Sequence, residues 1–228
     1  MIQARLTEQT FDQAAKAIQQ RHASQTPELV TTLQQRYDQA KPQVQVFPAA
    51  ISPWDALCQL AFVHDPTDKQ LRAVSQLTHT LQVVDSMERQ GETDEELLVA
   101  AWLHDLGKLL LLGSEDPANI VCLNYVVAGE QRAGLAHCVC TWNHDDYAYQ
   151  KIKGYVPERT EWLLRYHSLS LKQVEPYLND QDRQRIRDWL LPFEEHDKRS
   201  KSLHHFPRLD LDKHRRMLER HLPKELIL

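Results

Sequence analysis

The fold of this chain is decided by its most apolar stretch, which reads LLVAAWLHDLGKLLLL over residues 97–112. The stretch is 16 residues long and contains His104, Asp105 and Lys108, so it is too short and too polar to span a membrane. A segment that is apolar on every face is typical of a helix at the centre of a helical domain. We therefore predict a buried central helix that runs through His104 and ends at Gly113.

Helix signals continue on both sides of this stretch. Thr93 and Glu96 have the spacing of a capping box, which predicts the start of the central helix. Apolar spacing, prolines and glycines predict further helices at residues 10–40 (two helices), 53–63, 69–89, 131–153, 157–167, 171–178, 180–191 and 210–222. No two segments read as a convincing pair of strands. The sequence thus predicts an all-α fold with one domain over residues 1–228, in which residues 1–50 form a helical N-terminal extension.

The composition limits the class of protein. The chain has only 6 glycines, a net charge of −5 and no apolar N-terminal segment. These features argue against β-sandwiches, against duplex nucleic acid as a partner and against secretion. We expect a cytoplasmic monomer with no membrane partner, in which the cysteines are reduced thiols: Cys58, Cys122, Cys138 and Cys140.

His-Asp dipeptides occur four times, whereas 12 histidines and 17 aspartates in 228 residues predict about one by chance. They are His64-Asp65, His104-Asp105, His144-Asp145 and His196-Asp197. The pair in the apolar stretch is the most informative. Burying a carboxylate costs on the order of several kcal/mol unless the carboxylate is paired with a cation or bound to a metal. Two interpretations stay open here. Either the pair binds a metal, or His104 bonds a backbone carbonyl while Asp105 pairs with Lys108.

Four further residues extend this pair into a candidate metal site. His79 lies on the preceding predicted helix, and His144, His167 and Asp197 follow later in the chain. Four histidines and two aspartates can hold two divalent ions if Asp105 bridges them. Imidazole and carboxylate ligands suit Fe, Mn, Zn or Ni better than Ca or Mg. Each histidine taken singly is more often a structural or surface side chain, so the ordered set carries the interpretation.

The other polar and aromatic residues of note are interpreted without a metal. Those expected in solvated turns or at the surface are His64, Asp65, Asp68, His204, His205 and His214, with the alternative that the turn at residues 64–68 lines the mouth of a substrate site. Cys138 and Cys140 beside His137 are interpreted as core thiols, because three ligands so close in sequence rarely chelate an ion without a fourth. Trp142 and Tyr147 are expected to pack in the core.

The order of these residues resembles the HD-domain superfamily in its two-metal form and, within it, the myo-inositol oxygenase family. Four segments carry the resemblance: HDLGK at residues 104–108, WNHDDY at 142–147 followed by Tyr149-Gln150, RYHS at 165–168, and Asp197 with Lys201. A weaker match runs through Gln25-Thr26 and the helix after Ser52. The His-Asp pair alone is shared by many phosphohydrolases, whereas the second and third segments are much more specific.

The resemblance implies an HD-domain-like helical bundle with a non-haem site of two iron ions. It implies that His79, His104, Asp105 and Asp197 hold one iron, and that Asp105, His144 and His167 hold the second. Lys108, Ser168 and Lys201 match positions that contact the polyol substrate, and Lys108 is the residue expected to act in catalysis. The family reaction uses O₂ to open the ring of myo-inositol and yields glucuronate.

One region departs from the family pattern, because the segment between Asp105 and His144 is short and reads NIVCLNY at residues 119–125. Three alternatives therefore stay open. The first is a metal-dependent phosphohydrolase in which Lys108, Arg165 and Lys201 hold phosphate. The second is a diiron oxygenase of another substrate, such as a hydroxyphosphonate. The third is a binding module without catalysis, against which the complete ligand set argues.

Overall fold

The computed structural model describes residues 8–38, 45–71 and 73–228, and this part of the chain has the predicted all-α, single-domain fold. The helices are α1 Glu8–Ala23, α2 Pro27–Arg36, α3 Pro53–Gln59, α4 Gln76–Arg89, α5 Glu95–Leu103, α6 His144–Ile152, α7 Glu158–Tyr166, α8 Leu171–Val174, α9 Asp180–Arg185, α10 Leu191–Ser200 and α11 Leu211–His221. Two short strands, β1 Val126–Ala128 and β2 Val139–Cys140, pair antiparallel. None of the helices described is both long and apolar enough to cross a membrane.

Helix α5 is the buried centre of the fold, but it is shorter than predicted. Residues 98–103 are buried on every side, and α4 and α7 pack against the helix. The helix ends at Leu103, and a 3₁₀ helix, Leu106–Leu112, follows after Asp105, whose φ of −98° and ψ of 7° lie outside the α region. The prediction of one helix from 97 to 112 is therefore wrong. In a continuous helix two neighbouring side chains project about 100° apart, and the break changes that relation between His104 and Asp105.

Two predicted helix starts are also wrong, because a later residue provides the cap. Helix α4 begins at Gln76 rather than at residue 69, since the Ser75 hydroxyl accepts the backbone N–H of Thr78 at 3.3 Å. Helix α5 is capped by Asp94 rather than Thr93, and the Asp94 carboxylate accepts the Glu96 N–H at 2.9 Å. Both caps satisfy backbone donors that have no partner inside the helix.

The predicted helix over 131–153 exists only in its last third. The earlier residues form a 3₁₀ turn, Leu135–His137, and the strand β2, whose partner β1 the helical pattern did not reveal. Gly134 precedes the turn with a φ of +96°, a conformation that glycine adopts without strain. Asn143 then caps α6 by accepting the N–H of Asp145 at 2.9 Å.

Pro192 does not end a helix, contrary to the prediction. Helix α9 continues through a π-helical turn, Ile186–Leu190, into α10, in whose first turn Pro192 stands. Proline has no backbone N–H to donate, and the π-helical turn directly before it is a point at which the regular α-helical hydrogen bonds are already interrupted. One helical direction can therefore continue past a residue that usually stops it.

The N-terminal helices share the core of the rest of the chain. Ile18, Val30 and Leu33 belong to the same buried cluster as α5. The buried His22 ring bonds the carbonyl oxygens of Ala118 at 2.7 Å and Leu123 at 3.0 Å. Helices α1 and α2 are thus bound through polar as well as apolar contacts to the segment that follows the 3₁₀ helix.

The aromatic residues and thiols of the core agree with the predictions, whereas one histidine does not. Trp142 and Tyr147 are fully buried, and Trp142 stacks on Tyr37 with ring centroids 5.1 Å apart. The four cysteines are free thiols. His214, predicted at the surface, is instead buried beside the Trp102 ring, with its Nε2 3.5 Å from a carboxylate oxygen of Glu88. His214 lies on the buried face of the strongly amphipathic helix α11. Most of its neighbours in sequence are charged, so the sequence suggested an exposed position.

Gly107→Ala is expected to lower the free energy of unfolding by about 3 kcal/mol or more. The reason is close packing, because a methyl group at this position would overlap the backbone of His144. Urea denaturation measures the change. Gly113→Ala is the matched control, since its methyl group would meet only the Leu110 carbonyl oxygen at 3.4 Å. The control should change the free energy by about 1 kcal/mol at most. Equal losses in both variants would contradict this packing.

Candidate metal centre

Six side chains from separate parts of the fold converge at one point, and they are the six predicted as metal ligands. They are His79 in α4, His104 and Asp105 at the end of α5, His144 at the start of α6, His167 directly after α7 and Asp197 in α10. All but Asp197 are at least nine-tenths buried. The break after α5 brings His104 and Asp105 to the same cluster, although they are neighbours in sequence.

The Asp105 carboxylate is the centre of this cluster. Its Oδ2 lies 3.4 Å from Nε2 of His104 and 3.9 Å from Nε2 of His79. Its Oδ1 lies 3.3 Å from Nε2 of His144 and 3.9 Å from Nε2 of His167. Two groups among the described residues could therefore each hold a metal ion: His79, His104 and Asp105, and Asp105, His144 and His167.

Backbone contacts set the ring orientation of two of the histidines. Nδ1 of His104 lies 2.8 Å from the Ala101 carbonyl oxygen, and Nδ1 of His144 lies 2.7 Å from the Ile120 carbonyl oxygen. A carbonyl can only accept, so each Nδ1 carries a proton and the neutral ring keeps a lone pair on Nε2. This arrangement is typical of metal-binding histidines, whose outer nitrogen is held by a carbonyl or carboxylate.

The close approach of the histidine nitrogens also fits a cation. Nε2 of His79 and Nε2 of His104 are 3.4 Å apart in a fully buried setting. Nε2 of His79 can either donate a proton to Asp197, 2.8 Å away, or offer its lone pair to a metal ion, which would then also lie close to the lone pair of His104. Burial would lower the pKa of His167, but Asp145 and Asp105 raise it to about 9, so the same charges attract a cation there. The donor set and its geometry therefore fit two metal ions.

Asp197 lies at the edge of the cluster rather than inside either group. Its Oδ1 is 2.8 Å from Nε2 of His79, and its side chain is 16% exposed. Burial would raise the pKa of Asp197, but the hydrogen bond and charge of His79 hold that pKa far below its ordinary value. Asp197 is therefore an anion beside the first group. His196, its neighbour, points away and bonds Ser86 at 3.0 Å.

Lys108 is a buried cation that joins two buried carboxylates. Its Nζ lies 3.0 Å from Asp105, 3.1 Å from Asp65 and 3.1 Å from the Gln76 side-chain oxygen. Burial would lower the pKa of Lys108, but Asp105 and Asp65 raise it above its ordinary value. Asp65, predicted in a solvated turn, is instead only 5% exposed. The sequence feature that pointed to Asp65 was the His64-Asp65 pair. The proline and polar residues that follow it favoured a solvated turn instead.

Asp145 is a second functional candidate that the sequence interpretation passed over. It is fully buried, and its Oδ1 lies 3.1 Å from Nε2 of His144. Ser168 donates to the same carboxylate twice, from its hydroxyl at 2.7 Å and from its backbone N–H at 3.1 Å. Asp145 therefore holds Ser168 beside the second histidine group. The sequence feature that could have identified Asp145 is the pair of aspartates, Asp145-Asp146, that follows His144.

A cavity of about 470 Å³ opens over the cluster. The predicted substrate-contacting residues Lys108, Ser168 and Lys201 all line it, together with the six candidate ligands. Lys201 bonds Asp68 at 2.8 Å across the cavity, so Asp68 is also drawn into the site rather than left in solvent. A concave pocket into which a few polar side chains converge is the usual form of a small-molecule site.

Arg165 does not belong to this cavity, contrary to the phosphate-binding interpretation. Its guanidinium lies over the rings of Tyr149 at 4.9 Å and Tyr166 at 5.2 Å. It lines a separate, smaller cavity with Arg185. The RYHS segment thus contributes His167 and Ser168 to the site, while its arginine has a packing role outside it.

Comparison with known proteins agrees with the motifs. The family model described as myo-inositol oxygenase matches residues 11–131 and 124–227. A probable inositol oxygenase of Oryza sativa subsp. japonica is 24% identical over an alignment of 249 positions, which covers 90% of this chain and 77% of that protein. Inositol oxygenase 2 of Arabidopsis thaliana is 26% identical over 221 aligned residues, covering 79% and 67%.

Lys108→Met is expected to destabilise the metal-free protein by about 3–5 kcal/mol at pH 7, because two buried carboxylates lose their cation. The pKa of Asp65 lies below its ordinary 3.8 in the folded chain, as does that of Asp105. Their stabilising effect is therefore complete above that value and is lost as the pH falls through the depressed pKa.

The loss caused by Lys108→Met should accordingly be smaller near pH 4, where protonation can neutralise the uncompensated carboxylates. Urea denaturation at the two pH values measures the difference. Lys213→Met is the control, because Lys213 pairs with Glu88 on the surface, and it should change the stability by less than about 1 kcal/mol. A loss that is the same at both pH values would contradict the buried charge network.

Proposed function

The chain belongs to the myo-inositol oxygenase family, and on that basis we propose that it uses O₂ to cleave a small polyol, with conversion of myo-inositol to glucuronate as the leading candidate. In that reaction one oxygen atom enters the product and the other leaves as water. One observation carries the proposal: the buried Asp105 carboxylate is shared by two histidine groups at the floor of a cavity with hydrogen-bonding walls.

We propose two iron ions as the cofactor. His79, His104, Asp105 and Asp197 would hold one ion, and Asp105, His144 and His167 the other. The donor set of imidazoles and carboxylates supports iron over Ca²⁺ or Mg²⁺. When bound, the irons would supply Lewis acidity toward substrate oxygens and a route by which electrons pass from the polyol to O₂.

Ser168 is proposed to orient the substrate. Its hydroxyl proton is committed to Asp145 at 2.7 Å, so the lone pairs of its oxygen remain to accept a hydrogen bond from a substrate hydroxyl. Because Asp145 is buried and also bonds Asn124 at 3.1 Å, the direction of the Ser168 hydroxyl is fixed before substrate arrives. Such a preset acceptor costs little reorganisation when the substrate binds.

Lys108 and Lys201 are proposed to favour loss of a proton from a substrate hydroxyl. Lys108 is held as a cation by Asp65 and Asp105, so its role is electrostatic. Asp68 takes one of the three N–H donors of Lys201, and the others can serve substrate oxygens at the cavity mouth. Positive charge at these two points stabilises an alkoxide relative to the alcohol.

The reaction class can be tested with iron-loaded protein. We expect two irons per chain and O₂ uptake that depends on added myo-inositol, with little release of nitrophenol from nitrophenyl phosphate. Asp105→Ala should lose most of the iron, because it removes a ligand from both ions. His196→Ala is the matched control, since this histidine neighbours Asp197 but bonds Ser86, and it should keep the iron. Rapid phosphate release without O₂ uptake on any polyol would establish a phosphohydrolase instead.

Lys201→Ala should retain the fold and both irons but lower kcat/KM by about tenfold or more. This loss corresponds to one charged hydrogen bond, worth roughly 1.5–3 kcal/mol. Oxygen-uptake kinetics measure it. Lys213→Ala also removes a lysine paired with a carboxylate, but this lysine does not line the cavity, and its removal should leave kcat/KM unchanged. Equal activity of the two variants would exclude Lys201 from substrate binding.

A further inference from the structure

Lys201 stands at the end of helix α10, so the helix does not by itself fix the direction of its side chain. The ψ of Lys201 is 114°, which lies outside the helical region, and the chain leaves α10 at this residue. Its ammonium nevertheless lies 2.8 Å from Asp68, which is 133 positions earlier in the sequence. Because a lysine side chain is long and flexible, this placement requires that other contacts hold the backbone beside it.

A glutamine of helix α4 provides those contacts. Gln82 is only 1% exposed, and its Nε2 donates to the carbonyl oxygens of Ser202 and His205, each at 2.7 Å. Its Oε1 accepts the backbone N–H of Ser202 at 3.3 Å. The donors and the acceptor of this amide are thus committed to one short stretch of backbone, residues 202–205, which we name the exit segment. A buried amide that is paired in this way holds its partners in one arrangement.

Helix α4 thereby holds the chain on both sides of Lys201. His79 and Gln82 are three positions apart in α4, so they lie on one face of that helix. His79 lies 2.8 Å from Asp197, which precedes Lys201 in the chain, and Gln82 bonds the exit segment, which follows it. The backbone at Lys201 is therefore fixed between two attachments to the helix that also carries a candidate metal ligand.

We propose that Gln82 is a positioning residue, which fixes the backbone at Ser202 so that the Lys201 ammonium stands in the cavity and can donate to the substrate. Lys201 lines that cavity and Gln82 does not, since Gln82 lines a different groove. Any effect of Gln82 on the substrate must therefore pass through the exit segment and Lys201. This inference rests on the proposed function, from which it takes the role of Lys201.

The placement of Lys201 can be measured without turnover, by limited acetylation of the lysines with acetic anhydride followed by mass spectrometry. In the wild-type protein Lys201 should react slowly, because its side chain is only 20% exposed and is paired with Asp68. Gln82→Leu is similar in size but makes none of the three hydrogen bonds, and it should raise the acetylation rate of Lys201 about fivefold or more. Lys108 is the internal reference, since it is buried and bonds other partners, and its rate should not change.

Oxygen uptake by the iron-loaded protein tests whether the effect passes through Lys201. Gln82→Leu should keep both irons and lower kcat/KM for myo-inositol about fivefold, whereas the same substitution added to Lys201→Ala should lower it by less than about twofold. Gln82→Glu keeps the shape and the acceptor for Ser202 but loses both donors, so it should change both readouts in the same direction. Thr80→Val is the matched control, because Thr80 is a buried residue of α4 whose hydroxyl has no hydrogen-bond partner among the described residues. It should leave both readouts unchanged.

Three outcomes would overturn the inference. The first is an unchanged acetylation rate of Lys201 in both Gln82 variants. The second is an equal acceleration at Lys108 and Lys201, or loss of the fold in both variants, because either would assign Gln82 a general structural role. The third is an equal loss of kcat/KM from Gln82→Leu with and without Lys201. Failure of the proposed function would be seen differently, as a wild-type protein without polyol-dependent O₂ uptake, in which acetylation still reports the placement of Lys201.

Discussion

The rest of the structure depends on one constraint, which is a carboxylate buried at the end of the most apolar helix. Asp105 is 2% exposed, and an uncompensated anion at that depth would be strongly destabilising. Lys108 meets this demand directly from the 3₁₀ helix, and four imidazoles reach the same carboxylate from the ends or faces of four α-helices. The packing of α4 and α7 against α5, and of α6 against the 3₁₀ helix, can therefore be understood as the arrangement that brings those partners to a single anion.

The sequence predicted the class of fold well and failed where tertiary contacts override local pattern. Apolar spacing identified nearly every helix, because an amphipathic period reports burial directly. It could not reveal the break after Leu103, since an apolar run has the same pattern whether it is an α-helix or a 3₁₀ helix. It also missed the β1–β2 pair, whose strands are only 3 and 2 residues long. The division that treats residues 1–50 as an extension stays a prediction, although Ile18 and Val30 share the main core.

The sequence predicts those residues of the candidate site whose type and order mark them as metal ligands. It predicts less well those that only the folded chain brings next to a partner. Histidines with conspicuous neighbours, such as His104 and His144, could be selected from the sequence, and the structure brings them together. Asp65 and Asp145 could not be selected, because a carboxylate in a turn or at a helix start is usually solvated. What distinguishes these two is the distance from Asp65 to Lys108 and from Asp145 to Ser168, 3.1 and 2.7 Å. Those pairs are separated by many residues in the chain, and local patterns do not contain them.

The spread of the cluster along the chain has a consequence for the order of folding. His79 and Asp197 touch although they are 118 positions apart, so the complete cluster can assemble only after most of the chain has found its place. Contacts of such long range form late and slow the approach to the native state. An ion that binds only the assembled cluster stabilises the native state by mass action. Because the unfolded chain does not present this cluster, the stabilisation is lost when the ion is removed.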